Sequence, residues 1–398
     1  MTRFNVFVFV IALVLSIVLH ELGHYLVARR AGMKVTEFFI GFGPRLWSIE
    51  RGGVTYGIKA IPAGAYVRIV GMNNLENVDP ADEERTYRSK SYPRRLAVVA
   101  AGPVANLVLA LVLLTGLFTF VGILDLGWPE VRVMEGSPAA SAGLREGDRI
   151  LVFDGIRVES FEQLGSLIAR REGKTVRMEV QRGSERLELT ARIGRREVPG
   201  PDGVRVIGFL GVGPRIVERT LPPWKATWEA LGATGKIAWE SAKGVVRFFS
   251  PGGISSFFGE VADSARSPGR PDAPPDEPPD ATGGQTSPDE VSGERPERLI
   301  SLLGVIRLAS QFSLRGIVEL LVGLNVFLAV FNLIPLPPFD GGHIAVATYE
   351  RLRSRRGIRY AVDYAKLLPL TYGVIVVILT VGLGALYLDA VQPPAVPN

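Results

Sequence analysis

The chain has 398 residues, no cysteine and a formal charge of +5. Its mean hydropathy is positive, at +0.22, unlike that of an ordinary soluble protein of this size, and the lack of cysteine excludes both a disulfide framework and thiolate metal ligands. The basic surplus lies beside long apolar runs, so it reads as membrane topology and not as a nucleic-acid surface.

Four apolar runs cover 4–28, 97–124, 317–334 and 367–388. Each reaches or approaches the roughly 20 residues that a helix needs to cross a bilayer. The first carries a single formal charge, Glu21, within His20-Glu21-Leu22-Gly23-His24. It is long for a signal peptide, lacks a small-residue cleavage site and is followed by Arg29-Arg30. A charge inside such a run is costly and points to function. Histidines at i and i+4 share one helix face and can share a metal, and the intervening Glu can take a proton from metal-activated water. A metal hydrolase motif within a membrane span implies peptide hydrolysis inside the bilayer.

After this run the chain changes character. Ile40-Gly41-Phe42-Gly43-Pro44 reads as a turn, and 46–49 and 55–61 alternate in hydropathy around a turn at Arg51-Gly52-Gly53. Ile61-Pro62-Ala63-Gly64-Ala65-Tyr66-Val67 follows. The stretch 40–70 is expected to form a β-hairpin sheet at the membrane. Lipid-exposed sheet edges are forbidden, so it must pack on helices or line a wet cavity. With the spans at 4–28 and 97–124 it makes a first half-core, 1–124.

Residues 129–214 read as a small α+β domain. A short strand at 131–134 leads to a Gly-Pro-Ala segment, a strand at 149–153, a helix over 161–170 capped by Ser160, and strands at 176–181 and 187–193. This order resembles the permuted PDZ domain of bacteria, with 206–212 as its last strand and Gly208-Phe209-Leu210-Gly211 as its peptide-terminus loop. In 222–260, Trp224, Trp228 and Trp239 stand beside Lys225, Lys236, Lys243 and Arg247, the pattern of helices lying on a membrane interface. Residues 263–297 are rich in Pro, Asp, Glu, Gly and Ser, and are expected to form a disordered linker. A second half-core, 298–398, holds the spans at 317–334 and 367–388.

The third run ends in Asn332-Leu333-Ile334-Pro335-Leu336-Pro337-Pro338-Phe339-Asp340-Gly341-Gly342-His343. The prolines stop regular helix, the glycines permit tight turns, and Asp340 is held near membrane depth. A catalytic zinc takes three protein ligands and keeps one position for water. His20 and His24 supply two, and either Asp340 or His343 can supply the third.

These segments together resemble the site-2 protease family: H-E-L-G-H in the first span, N-x-x-P-x-P-x-x-D-G-G after the third, and a PDZ-like domain between. Ala101-Gly102-Pro103-Val104-Ala105-Asn106 is similar to the family's second-span motif, while Gly41-Phe42-Gly43 and Gly64-Ala65-Tyr66-Val67 resemble its membrane-associated β-loop. The resemblance implies a polytopic α-helical membrane protein with four transmembrane helices, a membrane-associated β-hairpin sheet and an inserted extracytoplasmic PDZ-like α+β domain. It implies Zn2+ on His20, His24 and Asp340, and Glu21 as the catalytic acid–base. Gly41, Gly43, Gly64, Tyr66 and Asn332 would bind substrate. It leaves Asn106 divided between a functional role and an interhelical hydrogen bond, and His343 between a role beside the ligands and none. Substrates would be single-span membrane proteins already trimmed by another protease, such as anti-sigma factors or remnant signal peptides, cut in regulated intramembrane proteolysis. One PDZ-like domain is visible where some members have two, and Phe339 stands where Leu is usual.

Twelve Arg and Lys residues lie between 29 and 95, and five Arg between 351 and 359. The positive-inside rule puts both loops in the cytoplasm and the PDZ-like domain outside, in the cell's inner (cytoplasmic) membrane, with the metal in the cytoplasmic half. The competing reading is a non-catalytic adaptor with a structural metal. It fits less well, because a structural zinc is closed by four ligands and needs no buried Glu.

Overall fold

The computed structural model describes residues 2–72, 74–200, 203–266, 301–354 and 360–391. The expected linker falls mostly outside these residues. The chain divides into two compact units, one formed by Met1–Leu117 with the later parts of the chain from Pro222 onward, the other by Phe118–Leu221.

In the first unit, α1 (Thr2–Arg30) is the central element. Among the described residues, four helical stretches are long and apolar enough to cross a membrane: Phe4–Arg30, Tyr92–Phe120, Leu314–Asn332 and Tyr364–Val391. They correspond to α1, α2 (Tyr92–Phe120), α8 (Leu314–Asn332) and α10 (Leu368–Val391) with the turn before it. Phe9 and Leu13 of α1 bury against Ala309 of α7 (Leu302–Gln311) and against Ile317 and Leu321 of α8. Midway along, Asn325 of α8 donates to Ser16 Oγ at 3.0 Å and to its own Leu321 carbonyl at 2.8 Å. In lipid such a bond has no water competing for it. On its other side α1 meets α2 through small residues: a Cβ at Gly23 would lie 2.5 Å from the Ala101 carbonyl oxygen and 3.1 Å from the Ala105 Cβ.

The expected hairpin is longer and more folded than its sequence suggests. β1 (Val35–Arg51) and β2 (Val54–Ile69) pair along their length. Both strands bend, so Phe38 pairs with Tyr56 on one side and with Val67 on the other. Two strands thereby form a curled, four-segment sheet. The segment around Gly41 and Gly43 is not a turn. It stays in the ladder and bends there, because both glycines adopt positive φ, +87° and +84°, which costs a residue with a Cβ. The base of the sheet buries Val35, Val54 and Ile69 with Ala28 and Met33 beside α1 and Val98 and Val99 of α2.

After α8 the chain turns through the proline segment into α9 (Asp340–Arg353). Gly342 permits this turn: a Cβ there would lie 2.6 Å from the Pro337 nitrogen. Helices α5 (Pro223–Phe248) and α6 (Pro251–Arg266) complete the unit, α5 against α8 and α6 against α10. Helix α6 runs four residues into the stretch read as linker.

The second unit is built on a sheet of order β10-β3-β4-β6-β7, with β5 beside β4. Its strands are β3 (Ile123–Val133), β4 (Arg149–Phe153), β5 (Ile156–Arg157), β6 (Thr175–Arg182), β7 (Glu185–Arg192) and β10 (Val212–Arg219). Helix α4 (Phe161–Ala169) packs Leu164 and Ile168 into a core with Val131, Ile150, Phe153, Val176 and Met178. Its cap is Ser160, whose hydroxyl accepts from Gln163 N at 3.1 Å. The short α3 (Pro138–Ser141) is capped by Ser137 in the same way. The single last strand expected over 206–212 is two elements. β9 (Gly203–Phe209) pairs with β8 (Gly194–Gly200) in a separate hairpin, and buried Leu210 with Gly211 connects it to β10. Pro199 and flanking glycines disguise β8 as a loop in the sequence.

Candidate active site

The helical spacing of His20 and His24 puts both imidazoles on the side of α1 that meets α2. Each is buried, at 8% and 7% exposure. Their Nε2 atoms are 3.2 Å apart, and Asp340 Oδ2 lies 3.3 Å from each. Asp340 reaches them from the first turn of α9, where a helix N-terminus favours a carboxylate. His24 Nδ1 donates to the Val98 carbonyl at 2.8 Å, which fixes the ring and leaves Nε2 as a lone-pair donor.

The residues fit a zinc ion. Lone-pair donors facing one another across 3.2–3.3 Å repel unless a cation or a proton lies between them. Asp340 Oδ2 is buried with no hydrogen-bond donor. Ligand atoms about 2.1 Å from a tetrahedral zinc are about 3.4 Å apart, close to the spacing seen here. Space in front of the rings is kept by Gly102 of α2: a Cβ there would lie 2.6 Å from His20 Nε2 and inside contact distance of His24 Nε2. Two imidazoles and one carboxylate form a donor set suited to a catalytic zinc with one position left for water. His20, His24 and Asp340 form the one such cluster among the described residues.

Glu21 lies beside this cluster and its Oε2 accepts a hydrogen bond from Val67 N of β2 at 3.0 Å. The other residues singled out by sequence are spread around it. Gly41 and Gly43 form the bends of β1, and Gly64, at φ +148°, precedes the last segment of β2. Tyr66 stacks between Phe39 and Phe42, at 5.8 and 6.1 Å between ring centres, and donates to Glu37 Oε2 at 2.6 Å. Asn332 is half-buried at the end of α8 and donates to its own Leu328 carbonyl at 3.0 Å. Asn106 is buried with its Oδ1 unpartnered. His343 is not part of the three-residue cluster. Its ring packs against Tyr87 and Tyr364. Two features of the site were not picked out from the sequence: Val98 O and Val67 N are backbone atoms and carry no residue signature. Gly102 stands in the second-span motif and in the small-residue run 100–102, which marks a close helix approach, but its closeness to the two imidazoles was not foreseen.

A His-Glu-x-x-His helix facing an aspartate, among helices of membrane-spanning length, defines a multi-pass membrane metalloprotease. Comparison with known proteins sharpens the class. The model of peptidase family M50 matches residues 8–275 and 276–375. The zinc metalloprotease Rip1 of Mycobacterium tuberculosis is 32% identical over 425 residues, covering 98% of each chain. Its namesake in Mycolicibacterium smegmatis is 32% identical over 429 residues, again covering 98% of each. The chain belongs to peptidase family M50, the site-2 proteases, and is a zinc metalloprotease. With this membership come a lipid bilayer as its medium and membrane proteins as its substrates.

Proposed function

We propose that the chain is an intramembrane endopeptidase that cuts single-span membrane proteins, with zinc held by His20, His24 and Asp340 and with Glu21 as acid–base. The observation that carries this reading is the meeting of the two His20 and His24 Nε2 atoms with Asp340 Oδ2, at 3.2–3.3 Å, beside the Glu21 carboxylate. When bound, the ion supplies Lewis acidity, which polarises a carbonyl and makes water a nucleophile near pH 7. Glu21 takes the proton from that water and delivers it to the leaving amine. Asp340 and the two imidazoles hold their donor atoms in place through α9, α1 and the His24–Val98 bond.

A transmembrane helix hides its carbonyls in its own hydrogen bonds, so a substrate must unwind locally before it is cut. The β1–β2 sheet offers backbone groups for such a stretch by strand addition. Gly41, Gly43, Gly64 and Tyr66 shape that sheet, and Asn332 contributes an amide where α8 ends. The Phe118–Leu221 unit is a PDZ-like domain in this reading. Its support is the order of strands around α4 and the Leu210-Gly211 connection, which suits a peptide carboxylate. Such a domain would test whether the outer part of a substrate has already been trimmed, as in regulated intramembrane proteolysis of anti-sigma factors or of remnant signal peptides. The exposed Trp224, Trp228 and Trp239 of α5, opposite buried Ala226, Ala230 and Thr234, suit a helix lying at the membrane interface. The basic loops between the first and second spans and between the third and fourth, both read as cytoplasmic, favour an inner-membrane protein with its metal in the cytoplasmic half.

The test is Glu21→Gln in purified full-length protein, with zinc content and turnover measured on the same detergent sample. The probe is a synthetic single-span peptide with a fluorophore and a quencher on either side of a Gly-Gly break. Expected are about one zinc per chain and a rate lower by about 10²–10⁴. Full turnover in this variant would remove the mechanism, and loss of zinc would mean that Glu21 is a ligand.

A further inference from the structure

The mechanism proposed above needs the Glu21 carboxylate to face the reacting water, yet a glutamate side chain has three rotatable bonds and its neighbours on α1 offer it no partner. The structure supplies one from elsewhere in the fold. Val67 N–H, a backbone group of β2, donates to Glu21 Oε2 at 3.0 Å. Among the described residues this is the one hydrogen bond made to the Glu21 carboxylate, so Oε1 is left to accept a proton.

The donor is held firmly. Ala65 and Ile69, two residues to either side, are buried. The Val67 side chain packs in the cluster that joins the base of the sheet to α1 and α2. The intervening residues point to the other face and are tied there by one carboxylate: Tyr66 Oη donates to Glu37 Oε2 at 2.6 Å, and Arg68 Nη1 lies 3.4 Å from Glu37 Oε1. Arg68 Nη2 makes a further bond to Glu76 at 3.1 Å. The 65–69 segment pairs on one side with β1. Its other side is an outer edge of the sheet, where an N–H has no strand to bond to. Glu21 satisfies that edge donor, and the edge in turn fixes Glu21.

We infer that the Val67 amide is the positioning group for the acid–base of this protease. The inference rests on the assignment of Glu21 made above. It has a consequence for substrate: since the anchor is sheet backbone and not a side chain, an extended chain that docks on the same sheet and shifts its edge moves Glu21 with it. Strand docking and proton transfer are thus mechanically joined at one hydrogen bond. The bond is to Oε2 and persists while Oε1 takes the proton, so what its removal takes away is the orientation of Glu21, and the loss of a charge-assisted bond of this kind corresponds to a rate loss of about tenfold to a hundredfold.

Removal of the N–H alone is the test. Val67 is replaced in the full-length protein by its α-hydroxy acid through nonsense suppression, which turns the amide into an ester and keeps the side chain. Val67→Ala, which keeps the N–H and trims the side chain, is measured beside it, as is Glu21→Gln. The quenched single-span peptide described above is the substrate, and zinc content is read on each sample. The expected result is a kcat about tenfold to a hundredfold lower in the ester, with KM and zinc content close to those of the parent, and a clearly smaller loss in Val67→Ala. An ester protein with the parent kcat overturns the inference, as does a loss in Val67→Ala equal to that in the ester, or an ester protein that loses zinc or shows its defect in KM alone. If Glu21→Gln is inactive while the ester is fully active, the anchor is wrong and the role of Glu21 stands. If Glu21→Gln is itself active, the reading on which the anchor rests has failed.

Discussion

Gly102 of α2 faces His20 so closely that a single methyl group on its Cα would lie 2.6 Å from the imidazole Nε2. In the proposed zinc site, the space for a metal and a water would therefore be made by the absence of a side chain on a neighbouring helix as much as by the three proposed ligands. Gly102→Ala must push α2 away from α1 or rotate the rings, and overpacking of this kind costs about 1–3 kcal/mol. The expected outcome is folded protein with zinc occupancy and turnover both reduced, by about tenfold or more, measured as metal per chain and as peptide cleavage. Gly116, further along α2 with open space around its Cα, serves as the control, and its change to Ala should leave zinc in place.

Much of this site can be read from the sequence, and the reasons differ by residue. The His20–His24 spacing is enough to put both rings on one face, because the helix period dictates it. The four membrane-length helices follow from four apolar runs, with ends that differ by a few residues. What the sequence conceals is backbone and shape. Gly41 and Gly43 look like a turn because glycine is the usual turn residue, whereas here they bend a continuous strand at positive φ. The β8 strand, rich in Gly and Pro at its end, does not alternate cleanly. Asn325 and Ser16, which link α8 to α1, are single polar residues within apolar runs, and nothing local reveals that they meet.

Orientation is open to a direct measurement. Cysteines introduced one at a time into this cysteine-free chain report their side by labelling with a membrane-impermeant maleimide. Positions 79 and 354 are expected to be protected in intact cells and to label after permeabilisation, and position 184 is expected to label at once. Labelling of position 184 only after permeabilisation would reverse the proposed topology and the depth of the metal.

The second unit carries an acid-sensitive contact of its own. Asp148 is 1% exposed. It receives Arg182 Nε on Oδ1 and Arg182 Nη2 on Oδ2, each at 2.8 Å, and the Arg145 amide at 2.9 Å. Burial alone would raise this carboxyl, but the Arg182 guanidinium and the Arg145 N–H outweigh it and hold it below the usual carboxylate range. A depressed carboxyl stabilises the fold at every pH above its unfolded value, about 3.9, and that contribution is lost as pH falls through the lower folded value. Protection of the β4 and β6 amides in the intact protein, taken relative to the intrinsic exchange rate at each pH, should therefore fall below about pH 4. Asp148→Asn should show lower protection than the parent at neutral pH, and that protection should respond less to acid.

The far end of α9 bears on the proposed ligand Asp340 as well. Asp340 opens that helix and Glu350 lies ten residues further on, about 15 Å along the axis. Glu350 is buried, pairs with Arg95 of α2 at 2.7 Å and accepts from Val362 N at 2.9 Å. Arg95 in turn lies over the Tyr87 ring at 4.9 Å. The helix that presents Asp340 is thus pinned to α2 by an ion pair at one end, while its other end faces the histidines. Removing one partner strands a buried charge, which costs about 3–5 kcal/mol, whereas replacing both by apolar residues of similar size is far less costly. Arg95→Met alone is expected to lower the thermal midpoint in detergent sharply and to loosen zinc. Arg95→Met with Glu350→Met should recover most of the midpoint. If zinc retention recovers with it, the ion pair acts on the site only through the stability of α9. If zinc stays loose while the midpoint returns, the Arg95–Glu350 pair sets where α9 holds Asp340. The double variant, with metal content and midpoint read together, separates these two roles, and the geometry of a single helix carrying both carboxylates favours the second.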